Sequence, residues 1–78
     1  MQKAIPRFTL KTARELKGYT QEKAAKLIGI SVDTLGNYER GKSYPDIPVL
    51  RKIEEVYGVS YEQLIFLPLD YDKTVNLV

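Results

Sequence analysis

The feature that most constrains this chain is its punctuation. Residues able to start a helix alternate with glycines able to end one: Thr9 with Gly18, Thr20 with Gly29, Ser31 with Gly41, and Pro48 with Gly58. A Ser or Thr side chain accepts a backbone N–H of the first turn, and glycine takes the left-handed position after the last turn. Between these marks the apolar residues recur at helical spacing. They are Leu10, Ala13 and Leu16, then Ala24, Ala25 and Ile28, then Leu35 and Tyr38, and finally Val49, Leu50, Ile53, Val56 and Tyr57. Ser60 caps a last segment that buries Leu64 and Ile65 before Pro68 stops it. The spacing predicts helices over about residues 10–17, 21–28, 32–40, 48–57 and 61–66. Helices this short are marginal alone in water, so all five must share one core. The expected fold is all-α, a compact five-helix domain over residues 9–66. An N-terminal arm (1–8) precedes it, and the tail (67–78) is a candidate dimerisation element.

Composition narrows the chemistry. At 78 residues there is room for one small domain. Cys and His are both absent, which removes disulfides, thiol nucleophiles, imidazole acid–base catalysis and the usual zinc, haem and iron–sulfur ligand sets. Glu54 and Glu55 are adjacent, so on a helix their carboxylates diverge by about 100° rather than converging on a substrate. No enzyme activity, cofactor, metal or small-molecule substrate is expected. No run reaches the ~18 apolar residues of a membrane span, and the N-terminus lacks a signal peptide's apolar segment, so no membrane contact and a cytoplasmic location are expected.

What remains is packing, hydrogen bonding and charge, and the charge is uneven. Residues 1–44 hold nine basic against four acidic residues, a balance of +5, and residues 45–78 hold three against six, a balance of −3. A basic half beside an acidic one suggests a surface that faces a polyanion. Scattered, solvated lysines would give the same totals.

Residues 20–41 read T-Q-E-K-A-A-K-L-I-G-I-S-V-D-T-L-G-N-Y-E-R-G, the grammar of two helices joined by a tight turn. Ala25 allows close approach of the two axes, and Gly29 supplies a backbone angle that a Cβ would penalise. Ile28, Ile30 and Leu35 fill the wedge between them. Such a unit leaves the N-terminal half of the second helix protruding, as entry into a DNA major groove requires.

Together with L-x-x-A-R-x-x-x-G-Y-T-Q before it, and K, P-D and Y-G-V-S-x-x-x-L after it, this stretch resembles the lambda-repressor and Cro family of helix-turn-helix regulators. The resemblance covers about residues 10–66 and implies a lambda-repressor-like fold. It departs from the family pattern at Ala13 and Ala24, where the family prefers bulkier residues.

Residue by residue, the resemblance implies that Val32, Asp33 and Asn37 read base edges. Asn37 is suited to the bidentate pair with adenine, and Val32 to a thymine methyl. Asp33 has two readings, an acceptor for cytosine N4 or simply an acid favoured by the helix dipole. Gln21 would meet a phosphate at the start of the second helix, as would Thr34; the plainer readings are a solvent-facing residue and a packing residue. Arg40, Lys42, Ser43 and Tyr44 fall where the family's loop follows the phosphate backbone. Lys23 and Lys26 would add to the field or stay solvated. Gly36 either leaves room for DNA or is a tolerated surface glycine. Arg14 and Glu39 match a family ion pair that clamps the recognition helix. Tyr38, Tyr57, Tyr61 and Phe66 are helically spaced, which favours core or interface over base stacking.

The function implied is a sequence-specific DNA-binding transcriptional regulator, a phage-type or mobile-element repressor that binds a palindromic operator in double-stranded DNA as a homodimer. The dimer surface expected is Tyr61, Leu64, Phe66, Leu67 and Leu69, because apolar residues persist there beyond what a small core buries. The alternative is an antitoxin or other protein-binding module that uses the same fold to hold a protein partner.

Overall fold

A computed structural model describes residues 5–67. The element order is strand β1 (Phe8–Thr9), helices α1 (Leu10–Leu16), α2 (Gln21–Ile28), α3 (Val32–Arg40) and α4 (Ile47–Tyr57), a single 3-10 turn (Tyr61–Gln63), and strand β2 (Leu64–Ile65).

The first three helices start on the predicted caps. Thr9, Thr20 and Ser31 accept the N–H of Thr12, Lys23 and Thr34 at 3.2, 3.1 and 3.0 Å. For α4 the cap is Asp46, whose carboxylate accepts the Val49 N–H at 3.1 Å. That acceptor starts the helix one residue before the expected position, at Ile47, and places Pro48 second. Gly29, Gly41 and Gly58 take left-handed angles as the caps that end α2, α3 and α4. In each case the residue beyond the glycine donates back to a carbonyl of the last turn, as Ile30 does to Ala25 at 3.0 Å.

The core is Leu10, Ala13, Ala24, Ala25, Ile28, Leu35, Ile53, Tyr57 and Leu64. The alanines at 13 and 24 are fully enclosed, which shows close helix packing at those two positions. On α1 the expected stripe needs correction: Leu16 is exposed, and Arg14 is buried instead. Six residues turn a helix by about 600°, so Leu16 lies about 120° from Leu10, whereas Ala13 and Arg14 flank the buried line.

The expected fifth helix is also corrected. After one 3-10 turn, Leu64 adopts extended angles (φ −96°, ψ 133°), and β2 runs parallel to β1 with Phe8 opposite Leu64 and Thr9 opposite Ile65. Among the described residues the domain is therefore four helices with a two-residue parallel bridge that ties the first strand to the last. Period-two alternation explains why Leu64 is buried while Ile65, expected in the core, is exposed. The turn is held at its start by reciprocal bonds of Ser60 and Gln63 and by the Tyr61 N–H, which donates to the Glu54 carboxylate at 2.6 Å.

Candidate nucleic-acid interface

The site is built on the α2–α3 pair. Ser31 follows Gly29 after one residue, so α3 begins almost where α2 ends, and Ile28, Ile30 and Leu35 pack in the angle between them. Leu35 anchors the inner face of α3. Its outer face carries Val32, which is 37 % exposed, with Asp33 and Arg40 exposed and Thr34 and Asn37 half-buried. The expected base-reading residues Val32, Asp33 and Asn37 thus share one helix, and its outer side is open. Lys23, Lys26 and Lys42 are exposed on the neighbouring segments, and Ser43 is half-buried.

What holds α3 in place is a buried polar knot. The Arg14 guanidinium of α1 donates to both carboxylate oxygens of Glu39 on α3, Nε at 2.7 Å and Nη2 at 3.2 Å, and its Nη1 donates to the Tyr19 carbonyl at 2.9 Å. The two side chains are only 8 % and 5 % exposed. The hydrogen bond to Glu39 raises the already high pKa of Arg14, outweighing the desolvation that lowers it, so its charge is permanent. The ion pair expected between α1 and α3 is present and two-pronged, a geometry that suits the planar guanidinium.

Gln21 belongs to the same knot. Its amide donates to Glu39 at 2.9 Å, so the side chain expected on a phosphate turns inward and buttresses the clamp. Ser31 bonds Thr34 hydroxyl to hydroxyl at 2.9 Å, which gives Thr34 a structural role at the start of α3. Tyr44 is a correction. Its hydroxyl donates to the Leu67 carbonyl at 2.6 Å and its ring meets Phe66 edge-on at 6.2 Å, so the group expected on a phosphate is spent on the protein's own C-terminal segment.

A residue unit on α3 was not legible as such from the sequence. Arg40 Nη2 donates to Asn37 Oδ1 at 2.7 Å, and the guanidinium lies over Gly36, where an added Cβ would meet Nη1 at 3.1 Å. Gly36 is therefore buried beneath its own helix's arginine rather than open to DNA.

Residues 10–64 match the helix-turn-helix family. The chain belongs to the helix-turn-helix family. The SPbeta prophage-derived uncharacterized HTH-type transcriptional regulator YonR of Bacillus subtilis is 37 % identical over 70 residues, 86 % of this chain and 65 % of its own length. YazB, an uncharacterized HTH-type transcriptional regulator of the same organism, is 42 % identical over 70 % of this chain and 80 % of its own. The HTH-type transcriptional regulator ImmR, also from Bacillus subtilis, is 43 % identical over 72 % of this chain and 44 % of its own. The chain thus spans under two thirds of YonR and under half of ImmR. No solved structure matches it.

This helix-turn-helix domain carries a second surface. Tyr44, Pro45, Ile47, Leu50, Tyr61 and Phe66 line an open apolar groove of about 570 Å³. Ile47 and Tyr61 are 63 % and 58 % exposed. Of the expected dimer residues, Tyr61 and Phe66 lie in this groove, Leu64 is a core residue and so corrects that expectation, and Leu67 receives the Tyr44 bond. Leu69 falls outside the described residues. Pro45, Ile47 and Leu50 belong to the groove and were not foreseen. The signal for them was Ile47 and Leu50 three apart at the start of a helix whose buried stripe needed only Ile53 and Tyr57. No helix among the described residues is long and apolar enough to cross a membrane.

Proposed function

We propose that this chain is a sequence-specific, double-stranded-DNA-binding transcriptional regulator that acts as a homodimer on a palindromic site, a repressor of the prophage or mobile-element kind. The observation that carries the reading is the clamped α3: its outer face is free, while its inner face is fixed to α1 by the Arg14–Glu39 pair. A rigid helix with a free outer face is the part that reads a major groove. The names of YonR and ImmR as HTH-type transcriptional regulators support it.

In this reading α3 enters the major groove with Val32, Asp33 and Asn37 toward base edges, while Lys42, Ser43 and Thr34 flank the phosphates. Two copies joined along the apolar groove would present two such helices, about 34 Å apart on a two-fold site. The interaction is tested by fluorescence anisotropy on duplexes selected from a random pool, repeated over a range of salt. The logarithm of affinity should fall linearly with the logarithm of salt, by about 0.9 per phosphate neutralised. Binding indifferent to salt, or no enrichment of any sequence, would defeat the proposal.

A further inference from the structure

Gly36 sits in the middle of α3, where glycine costs roughly 1 kcal/mol relative to alanine. It has negative φ, so no backbone conformation demands it. Beyond the helix's own nearby backbone, the three nearest heavy atoms to the place of a missing Cβ are the Nη1, Cζ and Nη2 of Arg40, at 3.1, 3.8 and 3.9 Å. The glycine makes sense as a seat for that guanidinium. Helical side chains lean toward the N-terminus, so an arginine at the end of α3 covers the turn before it. Here it reaches back one turn and rests on bare backbone beside Asn37.

The bond between them fixes what this part of α3 can offer a base. A guanidinium only donates, so the Asn37 atom facing Arg40 Nη2 at 2.7 Å must be the amide oxygen. That bond takes one of the two lone pairs of the Asn37 oxygen, so a bidentate pair with adenine would have to share this oxygen with Arg40. The remaining N–H groups of Arg40 are donors. The pair therefore presents more donors than acceptors. Adenine shows one acceptor and one donor in the major groove, N7 and N6–H2, and its bidentate pair with asparagine needs the oxygen that Arg40 holds. Guanine shows two acceptors, N7 and O6.

Resting on the DNA-binding reading above, we propose that Gly36, Asn37 and Arg40 form one guanine-reading unit in which the Arg40 guanidinium pairs with N7 and O6. Asn37 is a positioning residue that holds the guanidinium by its oxygen, and Gly36 is the gap in which it lies. Arg40 is thus a specificity residue rather than one more phosphate contact.

The test begins with duplexes selected by the wild-type protein. The selected half-site should contain a guanine whose replacement by adenine, or by 7-deazaguanine, weakens binding about 5- to 150-fold, the range of a good bidentate base contact. Arg40→Ala should bind guanine and adenine versions of that site within about twofold of each other. Asn37→Asp keeps an acceptor for Arg40 and should keep the guanine preference, although its charge lowers affinity for every duplex. Gly36→Ala should melt no lower than wild type and yet lose much of the preference, which separates displacement of the guanidinium from unfolding.

If the selected sites instead require adenine there, and Arg40→Ala weakens all duplexes evenly with a salt slope shallower by about one phosphate, the unit does not exist. A folded wild-type protein that binds no duplex would overturn the DNA-binding reading itself, and this assignment with it. The two failures are distinguishable because only the second abolishes salt-dependent binding.

Discussion

Tyr57 carries a large side chain into the centre of the core, yet its hydroxyl is buried with no hydrogen-bond partner among the described residues. Burial pushes its pKa well up, the Glu39 carboxylate pushes the same way, and the Arg14 charge only partly opposes them. An unpaired buried hydroxyl costs about 1–3 kcal/mol, so Tyr57→Phe should be neutral or stabilising rather than disruptive. The linkage gives a second readout. The folded state holds the protonated phenol, and the unfolded chain ionises near pH ~10. The stability due to this group is therefore complete below that pH and is lost as pH rises through it toward the folded value. Urea unfolding from about pH 8 to about pH 11 should show wild type losing stability faster than Tyr57→Phe. Parallel curves would show that the hydroxyl is not desolvated. Burial also raises Tyr38, so a residual slope should remain in the variant.

Among the helices, the relation fixed by charge is that between α1 and α3, beside the packing of Leu35 and Tyr38 against the core. Leu35 is its single fully enclosed apolar side chain. The Arg14–Glu39 pair adds a polar anchor, and Gln21 extends the same knot to the start of α2. Removing one partner of a buried ion pair leaves the other charge desolvated, so Glu39→Ala should cost about 3–5 kcal/mol. Circular dichroism melts should show a fall of well over ten degrees, since about 1 kcal/mol moves a domain of this size by 4–8 °C. Glu39→Gln keeps an acceptor and should lose less. An Arg14→Met, Glu39→Leu double variant should recover much of the loss in stability, because an apolar pair needs no desolvation. A Glu39→Ala protein melting with wild type would mean that α3 is held by packing alone.

For the molecule as a whole, two faces compete for explanation, the outer side of α3 and the apolar groove. An exposed isoleucine and tyrosine line an open apolar groove of about 570 Å³, a candidate surface for a second copy. If the groove joins two copies, Ile47→Glu should give a monomer by sedimentation velocity with an unchanged circular dichroism spectrum. It should also weaken binding to a palindromic duplex while sparing binding to a single half-site. A wild-type protein that sediments as a monomer at high micromolar concentration would remove the dimer. The β1–β2 bridge belongs to this scale as well, because it closes the domain by pairing residues 8 and 64.

The sequence by itself determined the four helices, the caps of the first three and the turn between α2 and α3. Capping hydroxyls, left-handed glycines and helical periodicity act over only a few residues, so they can be read without knowing the rest of the chain. Arg14 and Glu39 were legible because their spacing matched a known pattern. Only the tertiary structure decided what depends on distant partners. Leu64 turns from helix to strand because β1 offers its backbone edge. Tyr44 donates its hydroxyl to Leu67 because that carbonyl lies within reach. Asn37 gives its acceptor to Arg40 because Gly36 leaves the space, and no local rule of sequence states which of two polar side chains will take the other's lone pair.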